Sequence, residues 1–371
     1  MLSRPSQRAR IAQWLVLLAL AAVIWRLWDN VAENLALRHM NFSFSFLRDY
    51  ANFDIPFSLI EWRVGDTYAR ALLVSTLNTL LVSIAGIVTA SLLGLLVGIM
   101  RLSANWLVRN IALVFIELVR NTPQLVQIAF WYIAVLQAMP PLRQSFVLPG
   151  GVLLNIRGLY LPSFVLGPYS RGLGLLALAA VVATPFLWRV SWRGAPLRGK
   201  SLIVAALALI AFGASVDEIE YPALRGFNIV GGFQIPPELV ALWAGLSIYA
   251  SAFIAEIVRS AIQSVHKGQR EAALSLGLRP GQVLRKVVLP QALRVMVPPM
   301  TSQYLNLIKS SSLGAAIAYP ELFSIFAGTV LNQTGRELET IMVLMAIFLF
   351  ISLSTSAFMN WYNRHVALVA R

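Results

Sequence analysis

Two pairs of opposite charge lie near the ends of long apolar stretches. Glu117 and Arg120 are three residues apart, as are Glu256 and Arg259, and both segments have the form E-[LI]-V-R. Residues at this spacing share one side of a helix, so each pair predicts a local ion pair that anchors a helix at a membrane interface. Ionisable groups at bilayer depth are costly and commonly functional, so a gate or a contact with a charged substrate is the alternative.

Lys309 ends an apolar stretch and precedes three serines, of which Ser310 is the first. A cation here could attract a carboxylate, or its long side chain could reach outward to water. Neutral polar residues also fall within apolar stretches, where they bond across helix interfaces or face a pore. These residues are Asn78, Gln124, Gln127, Ser251 and Asn306. With the charged pairs they make up a candidate substrate pathway or gate, and both alternatives stay open for each.

Other chemistry lacks the residues that it needs. The chain has no cysteine, and His39, His266 and His365 lie far apart, which argues against a metal site. Neither G-x-x-x-x-G-K-[ST] nor G-x-S-x-G occurs, so we expect no bound cofactor, no ATP hydrolysis by this chain alone and no enzyme activity. The net charge of +14 lies in the connections between apolar stretches rather than on one soluble face, which argues against nucleic acid.

The composition is typical of a multi-pass membrane protein. Of the 371 residues, 58% are hydrophobic and the mean hydropathy is +0.71, whereas soluble domains are about 45–50% apolar. A helix needs about 20 apolar residues to cross a bilayer. The sequence therefore predicts an all-α integral membrane fold with about eight transmembrane helices, at 11–28, 71–100, 122–138, 173–190, 201–216, 239–260, 291–309 and 340–362.

Glycine, proline and threonine add local detail. Gly86, Gly94 and Gly98 are spaced for close helix packing. The pair Thr122-Pro123 predicts a helix start with Thr122 as the N-cap and Pro123 at the first helical position. This break leaves 104–119 as an interfacial helix, and 139–171, rich in proline and glycine, as an external loop. A kink is expected where Pro298 and Pro299 interrupt 291–309.

The distribution of charge predicts the orientation. With eight spans and the N-terminus inside, the inner segments hold 17 Lys/Arg and one acidic residue, whereas the outer segments hold eight Lys/Arg and thirteen acidic residues. Positively charged connections remain in the cytoplasm. Both termini and the polar passage 265–290 are therefore predicted to be cytoplasmic.

That passage carries an unusual small-residue pattern. Ala272, Ala273 and Gly277 follow Glu271 at spacings of one, two and six residues, and adjacent turns would place the small residues on one helix face. Gly277 is expected to end the helix, and Pro280-Gly281 to turn the chain. A docking helix is the interpretation that this face favours. An ordinary basic loop is the alternative, although loops of this length are uncommon.

The passage resembles the EAA loop of binding-protein-dependent ABC importer permeases, E-A-A-x3-G-x9-I-x-L-P. The match runs from Glu271-Ala272-Ala273 through Gly277 to Leu289-Pro290, and Val287 stands where Ile is usual. The resemblance implies a type I ABC importer transmembrane domain. It also implies that this loop forms the coupling helix, which sits in a cleft of a cytoplasmic ATPase.

Four other segments resemble the histidine/glutamine branch of polar amino-acid permeases: 72–84, 117–132, 249–269 and 306–322. Asn121 and Gln124 depart from the R-G-T-P-L-L-V-Q pattern of that branch, and Ser310 and Ser311 replace the usual Asp and Thr. The resemblance covers 70–138 and 239–362. The layout, with an insertion of two extra spans at 139–238, resembles the larger permease subunit of general L-amino-acid transporters.

The resemblance implies an importer of L-amino acids in the bacterial inner membrane. Its partners would be an ABC ATPase homodimer that uses ATP, a second homologous permease subunit and an external amino-acid-binding protein. The chain then divides into 1–69 with the first helix, the core parts 70–138 and 239–362, the insertion 139–238 and a cytoplasmic tail at 363–371. An ion-coupled secondary transporter is the alternative, and a membrane-embedded lipid transferase or protease is a further one for which the motifs give no support.

Overall fold

The computed structural model describes residues 7–37, 42–166 and 216–366. The predicted spans at 173–190 and 201–216 lie outside the described residues, apart from the last residue of the second. We number the helices α1 to α10 in chain order: α1 (Gln7–Leu37), α2 (Tyr68–Arg101), α3 (Trp106–Asn121), α4 (Gln124–Ala129), α5 (Pro237–Ser264), α6 (Lys267–Ser275), α7 (Pro280–Val283), α8 (Leu289–Ser310), α9 (Leu331–Thr334) and α10 (Glu337–Val366). Helical turns of π type extend α4 through Phe130–Leu136 and join α7 to α8 through Leu284–Val288.

Helices α2 and α5 form the centre of the fold. A Cβ atom placed on Gly94 would lie 2.9 Å from the carbonyl oxygen of Ser251, and one placed on Gly98 would lie 2.8 Å from that of Ala255. The two helices therefore run in the same direction, because the contacting residues advance together along both. Gly86 sits against the Leu307 side chain of α8. The predicted close packing at these glycines is confirmed, because a glycine lets two backbones approach where any larger side chain would collide.

Helices α3 and α4 lie against α5 as one broken rod. Arg120 stacks over Phe253, and the site of a Cβ atom on Gly245 lies 2.6 Å from the Ile128 side chain, so the rod runs antiparallel to α5. The first half, α3, packs against α2 and α5. The predicted helix start at Thr122-Pro123 is wrong. Thr122 ends α3, and its hydroxyl donates to the Leu118 carbonyl, so it is not an N-cap; the residue before α4 is Pro123, which makes no side-chain cap.

Short strands make the all-α prediction wrong in detail. The strands are β1 (Phe146–Leu148), β2 (Val152–Asn155), β3 (Gly158–Leu161), β4 (Ser163–Leu166), β5 (Val216–Glu220), β6 (Ala223–Arg225), β7 (Asn228–Val230) and β8 (Phe233–Ile235). They form one four-stranded antiparallel sheet in the order β1-β2-β3-β8 and two antiparallel two-stranded sheets, β4-β5 and β6-β7. We call the end of the helical bundle that carries these strands the sheet end, and the opposite end, which carries α6, the loop end.

Within the described residues, four helices are long and apolar enough to cross a membrane: the stretches Ile11–Val31, Tyr68–Arg101, Pro237–Ser264 and Glu337–Arg364. They correspond to four of the predicted spans. Gln124–Leu136 is apolar but shorter than the roughly 20 residues that a straight span needs. Together with α3, however, it makes a rod long enough for that purpose. The described chain is a multi-pass membrane protein with helices as its main element.

After α8, the chain folds back on the bundle before α10 begins. Helix α8 contains Pro298 and Pro299 within its run and ends at Ser310. A 3-10 turn at Ser311–Ile317 ends in Ala318, which has a positive φ of 59°. A π turn at Ser324–Val330 then leads through α9 to α10. Tyr319, Leu322 and Phe326 in this segment are fully buried and tie it to α2.

Candidate functional site

Helix α6 is a short helix held firmly at the loop end. The side chain of His266 caps it by accepting from the Gly268 N–H at 3.1 Å. Arg270 reaches back, and its Nη2 donates to the Ile262 carbonyl of α5 at 2.6 Å. Ala273 is 6% exposed and packs into the main hydrophobic core. The Arg270 bond therefore joins α6 to the end of α5, and Ala273 packs the helix against the core.

The outer side of α6 is open and partly apolar. Glu271 and Ala272 are exposed, and so are Leu274 (48%) and Leu276 (83%). The prediction that the small residues share one face is wrong, because Ala273 is buried in the core whereas Ala272 and Gly277 are exposed. The side of α6 that is free to meet another protein is therefore carried by Glu271, Ala272 and the two leucines.

Gly277 ends this helical unit as the sequence predicts. Its φ is +80°, in the left-handed region, and nothing lies within 4 Å of the position of a Cβ atom. The next residue, Leu278, donates its N–H to the Ala273 carbonyl at 3.2 Å and packs on the main core. Backbone conformation rather than space therefore requires glycine here.

The chain returns through a second helix instead of a turn at Pro280-Gly281. Pro280 occupies the first helical position of α7, and the Arg279 N–H is bonded by the Gln282 side chain at 3.0 Å. The π turn Leu284–Val288 directly precedes Leu289 and Pro290, which are half-buried. Pro290 has no N–H to donate to the carbonyl four residues earlier, and its ring crowds that carbonyl. The wider π turn before it relieves this steric clash.

An apolar groove of about 890 Å³ separates these elements from the end of α2. Its walls come from α2, α5, α6 and the start of α8, with Leu95, Leu274 and Leu289 among them, and Arg270 borders it. The groove and the open side of α6 meet at Leu274. The loop end therefore exposes leucine side chains of α6 beside an apolar groove.

The two charged pairs are in different states. Arg259 forms a bidentate pair with Glu256, and Arg259 also donates to Gln263. Arg101 and Arg120 lie close enough to attract the same carboxylate. No ion pair joins Glu117 to Arg120: Glu117 instead accepts from Asn121 at 3.2 Å, and Arg120 stacks on Phe253 5.1 Å from the ring centre. The predicted ion pair between Glu256 and Arg259 is confirmed, whereas the predicted ion pair between Glu117 and Arg120 is wrong.

Gln127 closes the break between α3 and α4. Its Nε2 donates to the Val119 carbonyl at 2.8 Å and to the Thr122 carbonyl at 3.1 Å. These carbonyls would lack partners where α3 ends, so the side chain supplies what the interrupted helix loses. Gln124, at the start of α4, is half-buried and has no comparable bond in the described chain. Gln127 thus has a structural task.

Asn78 and Ser251 lie in packed interfaces and not on an open path. Asn78 is fully buried, and its Nδ2 donates to the carbonyls of Phe57 and Pro320, each at 2.9 Å. Ser251 is also fully buried, and its hydroxyl donates to the Ile248 carbonyl. Asn78 therefore ties three separate segments of the chain together at the sheet end.

Helix α8 presents an open polar stripe. Ser302, Asn306 and Lys309 are exposed at spacings of four and three, so they share one face, and Ser310 beside them is half-buried. Within the described chain, Lys309 forms no ion pair. Of the neutral polar residues predicted for a pathway, Asn306 is the one that is exposed, and among the charged ones Glu117, Arg120 and Lys309 are exposed.

One polar cavity was missed by the sequence reasoning. It lies at the sheet end, has a volume of about 620 Å³, and is bordered by Arg157 in the turn between β2 and β3 and by Glu238 at the start of α5. The Tyr132 hydroxyl donates to Glu238 at 3.0 Å. The available signal was the turn pair Ile156-Arg157 between two apolar runs, which indicates a hairpin.

Comparisons with known proteins agree with this architecture. The family model described as the binding-protein-dependent transport system inner membrane component matches residues 86–368. The chain is 46% identical to YhdX of Escherichia coli strain K12 over 380 residues, covering all of this chain and 96% of that protein. It is 42% identical to the general L-amino acid transport system permease protein AapQ of Rhizobium johnstonii, covering 99% and 94%.

The fold also has a counterpart among solved structures. The crystal structure of an amino acid ABC transporter with histidines aligns with a TM-score of 0.50 at 20% identity, over 80% of this chain and 95% of that one. This likeness supports the type I importer fold. The family match spans far more than half of the chain and includes α6 with its glycine end. The chain belongs to the family of binding-protein-dependent transport system inner membrane components.

Proposed function

We propose that the chain is the permease subunit of an ABC importer that carries L-amino acids across the bacterial inner membrane. The relative AapQ, named for general L-amino acid transport, aligns over almost the whole length of both chains. A shared permease fold leaves the substrate open, whereas extended identity of 42% supports a shared substrate class. The chain itself binds no cofactor in this proposal, and ATP is used by a partner.

The observation that carries the proposal is the construction of α6. It is bonded to α5 through Arg270 and packed into the core through Ala273, and it exposes Leu274 and Leu276 beside an apolar groove. Exposed leucines on a rigid helix are unfavourable in water, and exposed apolar patches of this kind mark protein contacts. We assign the open side of α6 to a cytoplasmic ABC ATPase homodimer, with Glu271, Ala272 and Gly277 at the contact and Leu289-Pro290 holding the return.

Two further partners complete the transporter. A second homologous permease subunit would face the open polar stripe of α8, so that Asn306, Lys309 and Ser310 line the path between the subunits. An external amino-acid-binding protein would deliver the substrate at the sheet end. Glu256 and Arg259, with Arg120 nearby, would then sit at the cytoplasmic end of that path and serve as part of a gate.

The topology in this proposal has about eight spans and both termini in the cytoplasm. The excess of Lys and Arg at the loop end supports this orientation. Val165 and Glu218 are neighbours across the ladder of β4 and β5, so the chain lies on the same side of the membrane at these two positions, as this topology requires.

In this proposal α6 transmits the movement of the ATPase to the membrane helices. Closure of the ATPase would move α6, and the bond from Arg270 to Ile262 would carry the motion into α5, whereas α7 and the π turn would carry it into α8. The gate residues lie within three turns of that junction. No part of this step requires a reactive group on the permease.

The experiment is uptake into vesicles that contain the complete purified complex. We expect uptake of labelled L-amino acids to require ATP inside, the ATPase and the binding protein, and to survive ionophores that collapse ion gradients. Uptake without ATP that stops with an ionophore would overturn the proposal and favour an ion-coupled transporter. A matched pair tests α6: Ala272→Trp on its open side should abolish uptake, whereas Ala22→Trp, at an exposed position of α1, should leave it unchanged.

A further inference from the structure

The sheet-end cavity carries two opposite charges that the fold leaves uncompensated. Arg157 and Glu238 are the only charged residues on its wall, and neither forms an ion pair within the described chain. The rest of the wall is apolar or neutral, with Phe57 and Phe233 in contact at 6.2 Å between ring centres. A cavity with one cation, one anion and adaptable walls suits a small zwitterion.

Arg157 is positioned by its own turn. Its N–H donates to Asn155 at 2.8 Å, and its carbonyl accepts from the Gln234 side chain at 2.9 Å, so β2 and β8 fix the backbone from both sides. Asn228 accepts from Nη1 at 3.0 Å, and the other guanidinium donors have no partner in the described chain. A guanidinium with free donors can bind a carboxylate through two parallel hydrogen bonds.

The Glu238 carboxylate is available to bind a cation. It lies in the first turn of α5, where the helix dipole favours a negative charge. Its Oε1 accepts from Tyr132 at 3.0 Å, and Oε2 has no protein partner in the described chain. The helix dipole alone would account for an acidic residue here, but it would not account for the cavity or for the Arg157 guanidinium on the same wall.

We propose that this cavity is an entry site that binds the α-carboxylate of an amino acid at Arg157 and its α-ammonium at Glu238. This inference rests on the proposed function, because it takes the sheet end as the outer face. The volume of about 620 Å³ leaves room for side chains of many sizes, and it lies in the usual range for small-molecule pockets, about 300–1,000 Å³. Because all amino acids share the α-carboxylate and the α-ammonium group, recognition of these two charges gives a broad specificity.

The test uses analogues that lack one charge. The probes are the labelled L-amino acid that the wild-type complex takes up fastest, its α-amide and its N-acetyl derivative, bound to the complete complex without the binding protein. We expect each analogue to bind on the order of tenfold to a hundredfold more weakly than the amino acid. Arg157→Gln should remove the penalty on the amide alone, and Glu238→Gln the penalty on the N-acetyl derivative alone.

Controls separate recognition from folding. Arg157→Lys should restore part of the discrimination, since it keeps the charge, and Arg225→Gln and Glu220→Gln, on strands outside the cavity, should change nothing. Unchanged discrimination in both cavity variants would overturn the entry site, even with wild-type uptake intact. Equal weakening of all three probes would also overturn it, because that result indicates a structural role. Failure of ATP-dependent uptake in the wild type would overturn the proposed function and the entry site with it.

Discussion

The packing of α2 on α5 depends on glycine at position 98. A Cβ atom there would lie 2.8 Å from the Ala255 carbonyl oxygen and 2.8 Å from the Val258 Cβ. Carbon contacts are optimal at about 3.5–4.0 Å, so Gly98→Ala forces a shift of several tenths of an ångström against backbone that cannot rotate away. Overpacking of this kind costs about 1–3 kcal/mol. The gain from replacing a helical glycine is smaller, about 0.5–1 kcal/mol.

We therefore expect Gly98→Ala to destabilise the purified protein by about 1 kcal/mol, the difference between the midpoints of these two ranges. Thermal unfolding in detergent, followed by tryptophan fluorescence, measures the change. Gly328→Ala is the matched control, because nothing lies within 4 Å of the added Cβ atom, and it should be neutral or stabilising by about 0.4–1 kcal/mol. A Gly98→Ala protein that unfolds at or above the wild-type temperature would refute the close-packing argument.

Three further substitutions test local features by the same unfolding assay. Gly277→Ala should lower the free energy of unfolding by about 1–2 kcal/mol, because alanine is strained in the left-handed conformation, and Gly277→Asn should lower it clearly less. Equal losses in the two variants would contradict a backbone cause. Asn78→Leu should cost about 2–6 kcal/mol of stability, since two buried carbonyls lose their donor at about 1–3 kcal/mol each, whereas Asn306→Leu, at an exposed position, should stay near the wild type; comparable losses would refute the tie at the sheet end. Gln127→Leu should cost about 1–2 kcal/mol through the two carbonyls at the end of α3, and Gln124→Leu serves as its control.

Features set by neighbouring residues could be predicted from the sequence. Long apolar runs identify α1, α2, α5 and α10, because a span must be apolar along its whole length. The small-residue spacing at Gly94 and Gly98 predicts close packing for the same local reason. Gly277 ends α6 as predicted, since a glycine after a helical run commonly adopts the left-handed conformation.

Features that depend on distant contacts could not be predicted in this way. The strands are three to five residues long and interrupted by turns, so their pairing is decided by partners far away, such as β8 for β3. The direction of Ala273 depends on where α6 meets the core. Thr122 is a good N-cap by type, but its hydroxyl finds the Leu118 carbonyl of the preceding helix first.

The assignment of the candidate pathway shows the same division. Residue type alone placed Asn78, Gln127 and Lys309 in one group. In the structure the first two satisfy backbone carbonyls, and Lys309 faces open space with no ion pair in the described chain. Burial and hydrogen-bond partners separate them, and neither can be derived from composition.

The assignment of α6 as the site that docks the ATPase can be tested by crosslinking. The chain has no cysteine, so a single cysteine at Leu276 is unique and lies on the open side of α6. In the assembled complex we predict that Leu276→Cys with a short bifunctional reagent captures the ATPase subunit, whereas Ala273→Cys in the core and Phe227→Cys at the sheet end do not. Absence of the ATPase from the Leu276→Cys products, or equal capture from Phe227→Cys, would contradict the assignment.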